Sequence, residues 1–454
     1  MSPIAAATAR LGEFVTDASP PNDARTRAAI ALLDTVGVTL AGAAEPASLI
    51  VRQVVAAEGG DACTVFGTRA RAGISGAALA NGIAAHALDY DDMCFVSLAH
   101  PSAPLVPAIL AAAESGRLTG RAVLDAYIAG FEIEARLGRL MNPRHYQRGW
   151  HCTATLGTIG AAAAVSRLLG LDATAAGHAL GIAASEASGL KENFGTMVKP
   201  LHAGLAARNG VLAALLAQAG MTASERALDG PQGFLHALDS EGAGLDEAIA
   251  DLGARWEILD TGITVKLYPS CAGTHPSLDA ILDLRRREGF GAEDVERIDI
   301  DVDAIVPTIL ICDRPATGLE GKFSLPFCAA AAVVFGRVGI DTFETASLTN
   351  PGVTSLMPRV AMRVDPSLDS GAPPLTRARV HIRLRDGRVL TRQANGARGY
   401  PAQPASDDEL DAKFLACAGR ALSGPSAARA LDLLRRFETL EDMRTLTGVL
   451  GDTR

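Results

Sequence analysis

Up to about residue 260 the apolar residues recur every three to four positions, and past about residue 265 they recur every second one. A change of period of that kind separates packed helices from strands within a single chain. In the first part, NDARTRAAIALLDTVGVTLAG carries Ile30, Leu33, Val36 and Leu40 at helical spacing, with Asn22 or Asp23 expected as the cap. TGRAVLDAYIAGFEIEARLGRLMNP runs apolar on one face until Asn142 and Pro143. TATLGTIGAAAAVSRLLGLD and PLHAGLAARNGVLAALLAQAG follow the same pattern, each finishing near a glycine. Further on, VERIDIDV (295–302) and RVAMRV (359–364) alternate, and RARVHIRLRDGRVLTRQA (377–394) reads as a hairpin turning at Asp386 and Gly387. Helical patterns at 275–288 and 323–336 lie between them, and after Pro401 and Pro404 the segment ASDDELDAKF returns to helix. The expected fold is mainly α with an α+β insertion. A helical domain takes residues 1–265 and 403–454, and a smaller α+β lid takes 266–402. No period of about 20–50 residues repeats, which excludes a solenoid.

A chain of 454 residues with 48% hydrophobic side chains has ample material for two cores. Aromatics are only 4%, so small side chains dominate and close helix packing is expected. The net charge of −9 and the lack of any basic run argue against a nucleic-acid surface. The seven cysteines are odd in number and scattered, with no C-x-x-C, which points to a reducing compartment. The start, MSPIAAATARLGEFV, has no basic segment followed by an apolar run, and no stretch approaches the roughly 20 apolar residues of a membrane helix. A soluble, cytoplasmic protein is expected.

Four stretches carry more polar chemistry than their surroundings require. HALDYDDMCFVSLAHPS holds Asp89, Asp91, Asp92 and His100; HYQRGWHCTATLG holds Tyr146, Arg148, His151 and Thr153. NFGTMVKPLHAG holds Lys199 and His202 around a proline where a helix begins, and VKLYPSCAGTHPSLDA holds Lys266, Tyr268, Cys271 and His275. Each has a bland reading: Asp91 and Asp92 as caps, Lys199 and His202 as solvated side chains of a helix with proline in its first turn. A D-x-D-D run also serves carbocation cyclases, but those need aromatic walls that this composition lacks. Cys271 and His275 have metal-like spacing on a helix, yet Pro269 and Pro276 interrupt any helix there, and no metal is expected. There is no phosphate-binding loop, dinucleotide fingerprint or nucleophile elbow.

Together the four stretches suit one kind of chemistry. Deprotonating a carbon next to a carboxylate makes a high-energy dianionic enediolate. Without a metal, that reaction requires a base poised near neutrality and cationic donors at the carboxylate. Lysines, histidines and a tyrosine at helix entrances supply those parts.

The same motifs, in this order, resemble the MmgE/PrpD family, whose members include 2-methylcitrate dehydratases, cis-aconitate decarboxylases and iminodisuccinate epimerase. HALDYDD with HPS, GWHCTATLG, NFGTMVKPLHAG, KLYPSCAGTHP and GKFSLPF are similar to its five motifs, across nearly the whole chain. The resemblance implies a helical domain made from both chain ends, an inserted α+β lid, a homodimer, and a cleft that works without metal or organic cofactor. It implies roles in catalysis for Asp89, His100, His151 and Lys199, with Tyr146 as a partner of His151, and matches Lys266 to the lysine of the fourth motif; Cys271, which departs from the pattern, is expected to act as a thiol acid or base, and Lys266, His202, Asp92 and His275 are expected to bind substrate, a small di- or tricarboxylate. Met93, Cys271 and Phe327 stand where the decarboxylase branch has Thr, His and Tyr, and the Asp89–His100 segment is one residue longer. Those departures favour an epimerase of the iminodisuccinate type, with a dehydratase as the alternative and a decarboxylase or a non-catalytic carboxylate-binding member behind it. A Schiff-base enzyme using Lys199 is a further class to separate by its absorption.

Overall fold

The computed structural model describes residues 7–238, 244–369 and 376–453, and its chain divides into two compact units. The first comprises the described residues of Met1–Ala87, Asp91–Ile263 and Ser406–Arg454. Its core is a stack of helices that includes Asn22–Gly42, Ile74–His86, Ser102–Gly116, Gly120–Met141, Cys152–Leu168 and Val198–Gln218. Alanine favours these helices intrinsically, and glycine lets their backbones touch. A Cβ on Gly82 would come within 2.8 Å of Gly204 Cα, and one on Gly204 within 2.6 Å of Leu79 O. At that crossing Ile74–His86 and Val198–Gln218 meet backbone to backbone.

Two details differ from the sequence reading. Neither Asn22 nor Asp23 caps the first long helix: Pro21 occupies the N-cap with no side-chain bond, and the Asn22 side chain accepts from Arg25 Nη1 at 3.0 Å. The helix is not apolar on one face only, since Ala31 through Gly42 are buried without interruption. With layers on both sides, the 3.6 period loses its contrast.

Helix Asp407–Ala418, the first after the α+β segment, packs on Asn22–Gly42. Lys413 Nζ lies 2.5 Å from Asp34 Oδ1, with both side chains almost fully buried. Beside them, a Cβ on Gly37 would come within 3.0 Å of the Phe414 ring.

The second unit comprises Leu88–Tyr90 and the described residues of Thr264–Ala405. Its sheet runs in the order Val360–Val364, Val295–Val302, Ala378–Leu384, Val389–Ala394. The first pair is parallel and the other two are antiparallel, with Ile298 opposite Ile382 and Ile300 opposite Val380. Period-two burial places Ile298, Ile300, Val302, Val380, Ile382 and Leu384 in the core, against helices His275–Glu288 and Leu325–Phe335. Gly387, at φ 91°, makes the hairpin turn. The whole is mainly α with a smaller α+β part, as the periodicities indicate.

Residues 88–90 join this unit although the sequence reading left them in the helical domain. Lys266 Nζ donates to Asp89 O at 2.8 Å, Lys322 Nζ donates to Leu88 O at 2.6 Å and Pro269 O at 3.0 Å, and Tyr90 OH donates to Leu267 O at 3.3 Å. No local pattern announces that three residues are held by lysines far along the chain.

Candidate active site

The Gly82–Gly204 crossing sets the centre of the first unit. His86 lies four residues after Gly82, at the end of its helix, and Lys199 five residues before Gly204, at the start of the other. The close approach brings Lys199 Nζ to 2.8 Å from His86 Nε2. On its other side, His86 Nδ1 is 2.7 Å from Asp91 Oδ2, and His100 Nδ1 is 3.2 Å from that same oxygen. His151, at the N-cap of Cys152–Leu168, lies with its Nδ1 3.0 Å from His202 Nδ1 and its ring 5.7 Å from that of His86. Phe194 closes one side, edge-on to His151 at 5.0 Å and with Lys199 Nζ 5.5 Å from its ring centre. His86, Asp91, His100, His151, Lys199 and His202 are all buried.

Burial dictates their charge states. It pushes the His86 imidazole down to about 3, against the pull of Asp91 and with help from Lys199 and His100. Burial, then Lys199, holds His151 well below the ordinary imidazole range and His202 down to about 4. Burial alone would raise Asp91, but His86 and His100 outweigh it and hold the carboxyl well below its usual range. Hence Asp91 is a carboxylate and can only accept, so neutral His86 carries its proton on Nδ1 and offers Nε2 to Lys199. The two close Nδ1 atoms of His151 and His202 likewise require one donor and one acceptor.

His86, Asp91 and His100 bring nitrogen and oxygen atoms within 4.8 Å of one another. A cation there would meet the Lys199 amine at 2.8 Å from His86 Nε2, and the Asp91 oxygen between two imidazoles. The arrangement suits proton exchange better than metal ligation.

Asp92, expected to bind substrate, has a buried partner of its own. It pairs with the Ser102 hydroxyl, and Tyr127 OH stands 2.6 Å from Ser102 Oγ. Burial pushes its carboxyl up to about 8; the Ser102 hydrogen bond opposes this, and Asp34 and Asp91 add to it. Asp92 is thus a mostly neutral core acid. The Tyr146 ring lies under Lys191 Nζ, 3.4 Å from its centre, and Tyr146 O accepts from the same ammonium at 3.1 Å.

In the second unit Asp89 adopts a left-handed backbone at φ 51°, a conformation that Asp tolerates better than most residues. Lys266 Nζ holds it at the main chain and lies 3.3 Å from Oδ1. The Cys271 N–H donates to Lys322 O at 3.0 Å, and its thiol side chain is buried. His275, expected to bind substrate, donates from Nε2 to Ser270 O at 3.1 Å and stacks edge-on with Tyr268. Its imidazole serves the loop before helix His275–Glu288. Phe327 is a core residue against Phe343.

Sequence reasoning passed over His86, Asp91 as a bridge, Phe194 and Lys322. The available signal was spacing: Gly82 and His86 one turn apart, and Lys199 and Gly204 little more than one turn apart, mark two helices able to touch beside polar side chains.

A helical unit with a buried lysine, imidazole and carboxylate cluster, accompanied by a smaller α+β unit, defines an α-helical class of two-unit protein. The chain belongs to the MmgE/PrpD family: the MmgE/PrpD N-terminal domain matches residues 9–244 and the C-terminal domain matches 268–439. A cis-aconitate decarboxylase of Homo sapiens is 28% identical over 386 residues, covering 82% of this chain and 79% of the relative. A cis-aconitate decarboxylase-like protein of Aspergillus oryzae is 29% identical over 471 residues, covering 98% and 97%. The cis-aconitate decarboxylase of Aspergillus terreus is 29% identical over 455 residues, covering 95% and 92%. Among the described residues no single helix is long and apolar enough to cross a membrane.

Proposed function

We propose that the protein is an enzyme that moves a proton at a carbon beside a carboxylate of a small di- or tricarboxylate, without metal or organic cofactor. The observation that carries this reading is the buried contact of Lys199 with His86, continued through Asp91 to His100. Out of water, such groups act on a carbon acid far more strongly than solvated ones. The neutral imidazoles of His151 and His202 add acceptors for the proton, and Lys199 adds charge for the enediolate. Inversion at that carbon, as an epimerase performs, is the outcome favoured by Met93, Cys271 and Phe327. An imidazole and a phenol that would orient a third carboxylate in the decarboxylase branch are replaced by a thiol and by a phenyl ring packed in the core. Lyase chemistry is the second reading, favoured by the relatives' printed activity. A homodimer and a cytoplasmic location belong to the same proposal.

Proton NMR in D2O with a panel of four- to seven-carbon polycarboxylates and aminodicarboxylates tests it. Solvent deuterium is expected at the α position, with inversion of configuration and negligible conversion of cis-aconitate to itaconate. Robust itaconate formation selects the lyase reading, and no exchange with any member of the panel refutes both.

A further inference from the structure

We propose that Asp279 is a positioning residue for the Cys271 thiol: with Tyr268 and Arg398 it clamps the loop that carries Cys271 against the start of helix His275–Glu288. This rests on the proposed inversion, with Cys271 as one of its acid–base groups, and concerns side chains of the second unit, outside the Lys199 cluster. His275 and Asp279 lie one turn apart on that helix, so they share a face. Both grip Tyr268: the imidazole is edge-on to its ring at 5.2 Å, and Asp279 Oδ1 accepts from its hydroxyl at 2.5 Å. Arg398 completes the clamp, donating from its backbone N–H to Asp279 Oδ2 at 2.7 Å and from Nη2 to the Tyr268 oxygen at 3.3 Å. Burial, then Asp279, holds the phenol above its ordinary range, so it stays a donor.

The loop itself is held at consecutive carbonyls. Tyr268 O accepts from Ser270 N at 2.9 Å, Pro269 O from Lys322 Nζ at 3.0 Å, and Ser270 O from His275 Nε2 at 3.1 Å. Cys271 O accepts from Thr274 N at 2.9 Å and from Thr274 Oγ1 at 2.8 Å, and Ala272 O from Tyr400 OH at 3.4 Å. Just before the loop, Val265 N donates to Gly399 O at 3.0 Å, and a Cβ on Gly399 would come within 1.9 Å of Val265 O. That backbone crossing sets Arg398 beside Tyr268. A buried loop has to satisfy its carbonyls whatever else it does. The bond from Tyr268 to Asp279 satisfies no backbone group, and a phenyl ring at 268 would fill the same space with no hydroxyl to bury. What the clamp adds is a fixed position for residues 268–271. A reacting group misplaced by about 1 Å loses about 100-fold in rate, so a thiol that moves a proton needs such a support.

Two measurements on the full chain test the clamp, the first without substrate. Alkylation by iodoacetamide, read peptide by peptide in mass spectrometry, should reach Cys271 at least about tenfold faster in Tyr268→Phe and in Asp279→Ala than in wild type, because the loop opens locally. Cys328, buried in helix Leu325–Phe335 of the same unit, should keep its wild-type rate. Tyr268→Phe preserves the ring against His275 and stands in if Asp279→Ala does not fold. An unchanged Cys271 rate in folded variants, or Cys328 labelled in step with it, overturns the clamp. The second measurement uses whichever carboxylate exchanges its α hydrogen. In Asp279→Ala inversion should slow by about 100-fold, while KM and exchange with retention stay within about threefold of wild type. Cys271→Ser combined with Asp279→Ala should lose no more than Cys271→Ser alone, since Asp279 acts through that thiol. Wild-type inversion in Asp279→Ala, an equal loss of inversion and exchange, or losses that multiply in the double variant overturns the positioning role. If no carboxylate exchanges with the wild-type protein, the acid–base reading fails, whereas the alkylation rates still judge the clamp.

Discussion

Lys199→Ala removes the cation that touches His86, opposite the Asp91 carboxylate. Its ammonium lies 2.8 Å from His86 Nε2 in a buried setting. A hydrogen bond to a charged group contributes about 1.5–3 kcal/mol, and the upper part of that range corresponds to about 100-fold in rate. Loss of enediolate stabilisation adds to it, so kcat/KM should fall by about 100-fold or more. A second signature separates this from general damage. Burial, then Lys199, depresses His151 and His202, the latter to about 4. Without the ammonium both should titrate closer to their ordinary value. The neutral form needed to accept a proton then persists only at higher pH, and the acid limb of the kcat/KM profile should move upward. The assay is α-hydrogen exchange in D2O, followed by NMR across pH. His381→Ala is the control: that imidazole is in the sheet, 3.0 Å from Thr391 Oγ1 and 3.3 Å from Asp301, and its loss should leave the rate within about threefold, as surface changes usually do. Full activity in Lys199→Ala, or an unmoved acid limb, refutes the placement of the base.

Chelation should leave activity intact, because Asp91 and His86 are already engaged by imidazole and amine; recovery of an EDTA-inactivated protein by a stoichiometric divalent ion would overturn this. Asp92, at about 8 against an ordinary 3.8, holds a proton in the folded state that the unfolded chain has released, so its contribution to stability falls as pH rises from about 4 to about 8. Asp92→Asn should therefore gain stability relative to wild type across that window, by up to about 1.4 kcal/mol per pH unit, in urea unfolding at several pH values. Lys413→Met leaves Asp34 buried without its ion-pair partner and should cost about 3–5 kcal/mol, read as a lower denaturation midpoint. Binding of a dicarboxylate should draw protons onto the cluster, giving a binding heat that varies with the ionisation enthalpy of the buffer.

Regular structure was legible wherever one face of an element meets a core and the other does not. Val295–Val302 and the hairpin through Gly387 alternate in sequence because they alternate in burial. In the helical unit the same reasoning found the helices but not their faces, since Ala31–Gly42 is enclosed all round and has no polar side to read. The candidate site was legible as residue types at helix entrances, and Lys199, His151, His202 and His100 do gather in one buried cluster. Partners fixed by tertiary contact were not legible. Asp92 and His275 carry the right chemistry for substrate binding, yet one turns to Ser102 and the other to Ser270. His86 looked like the end of an alanine-rich helix until Gly82 met Gly204.

The charge of the cluster explains how an acidic protein can hold an acidic ligand. Over the whole chain the net charge is −9, but at distances beyond about 8–10 Å solvent ions screen most of that field at ordinary salt. What an anion meets at the site is the local set: Lys199 against Asp91, close to neutral overall, with three further imidazoles whose protons burial has removed or holds back. An arriving carboxylate supplies the negative charge that those imidazoles lack, and so reduces the cost of protonating one of them. Binding then charges the site, and the proton gained stands where an enediolate would form. A cluster charged in advance would have to be held cationic out of water, which is costly without a counter-ion. Neutral imidazoles beside one lysine avoid that cost, which accounts for a centre built from several histidines and a single lysine.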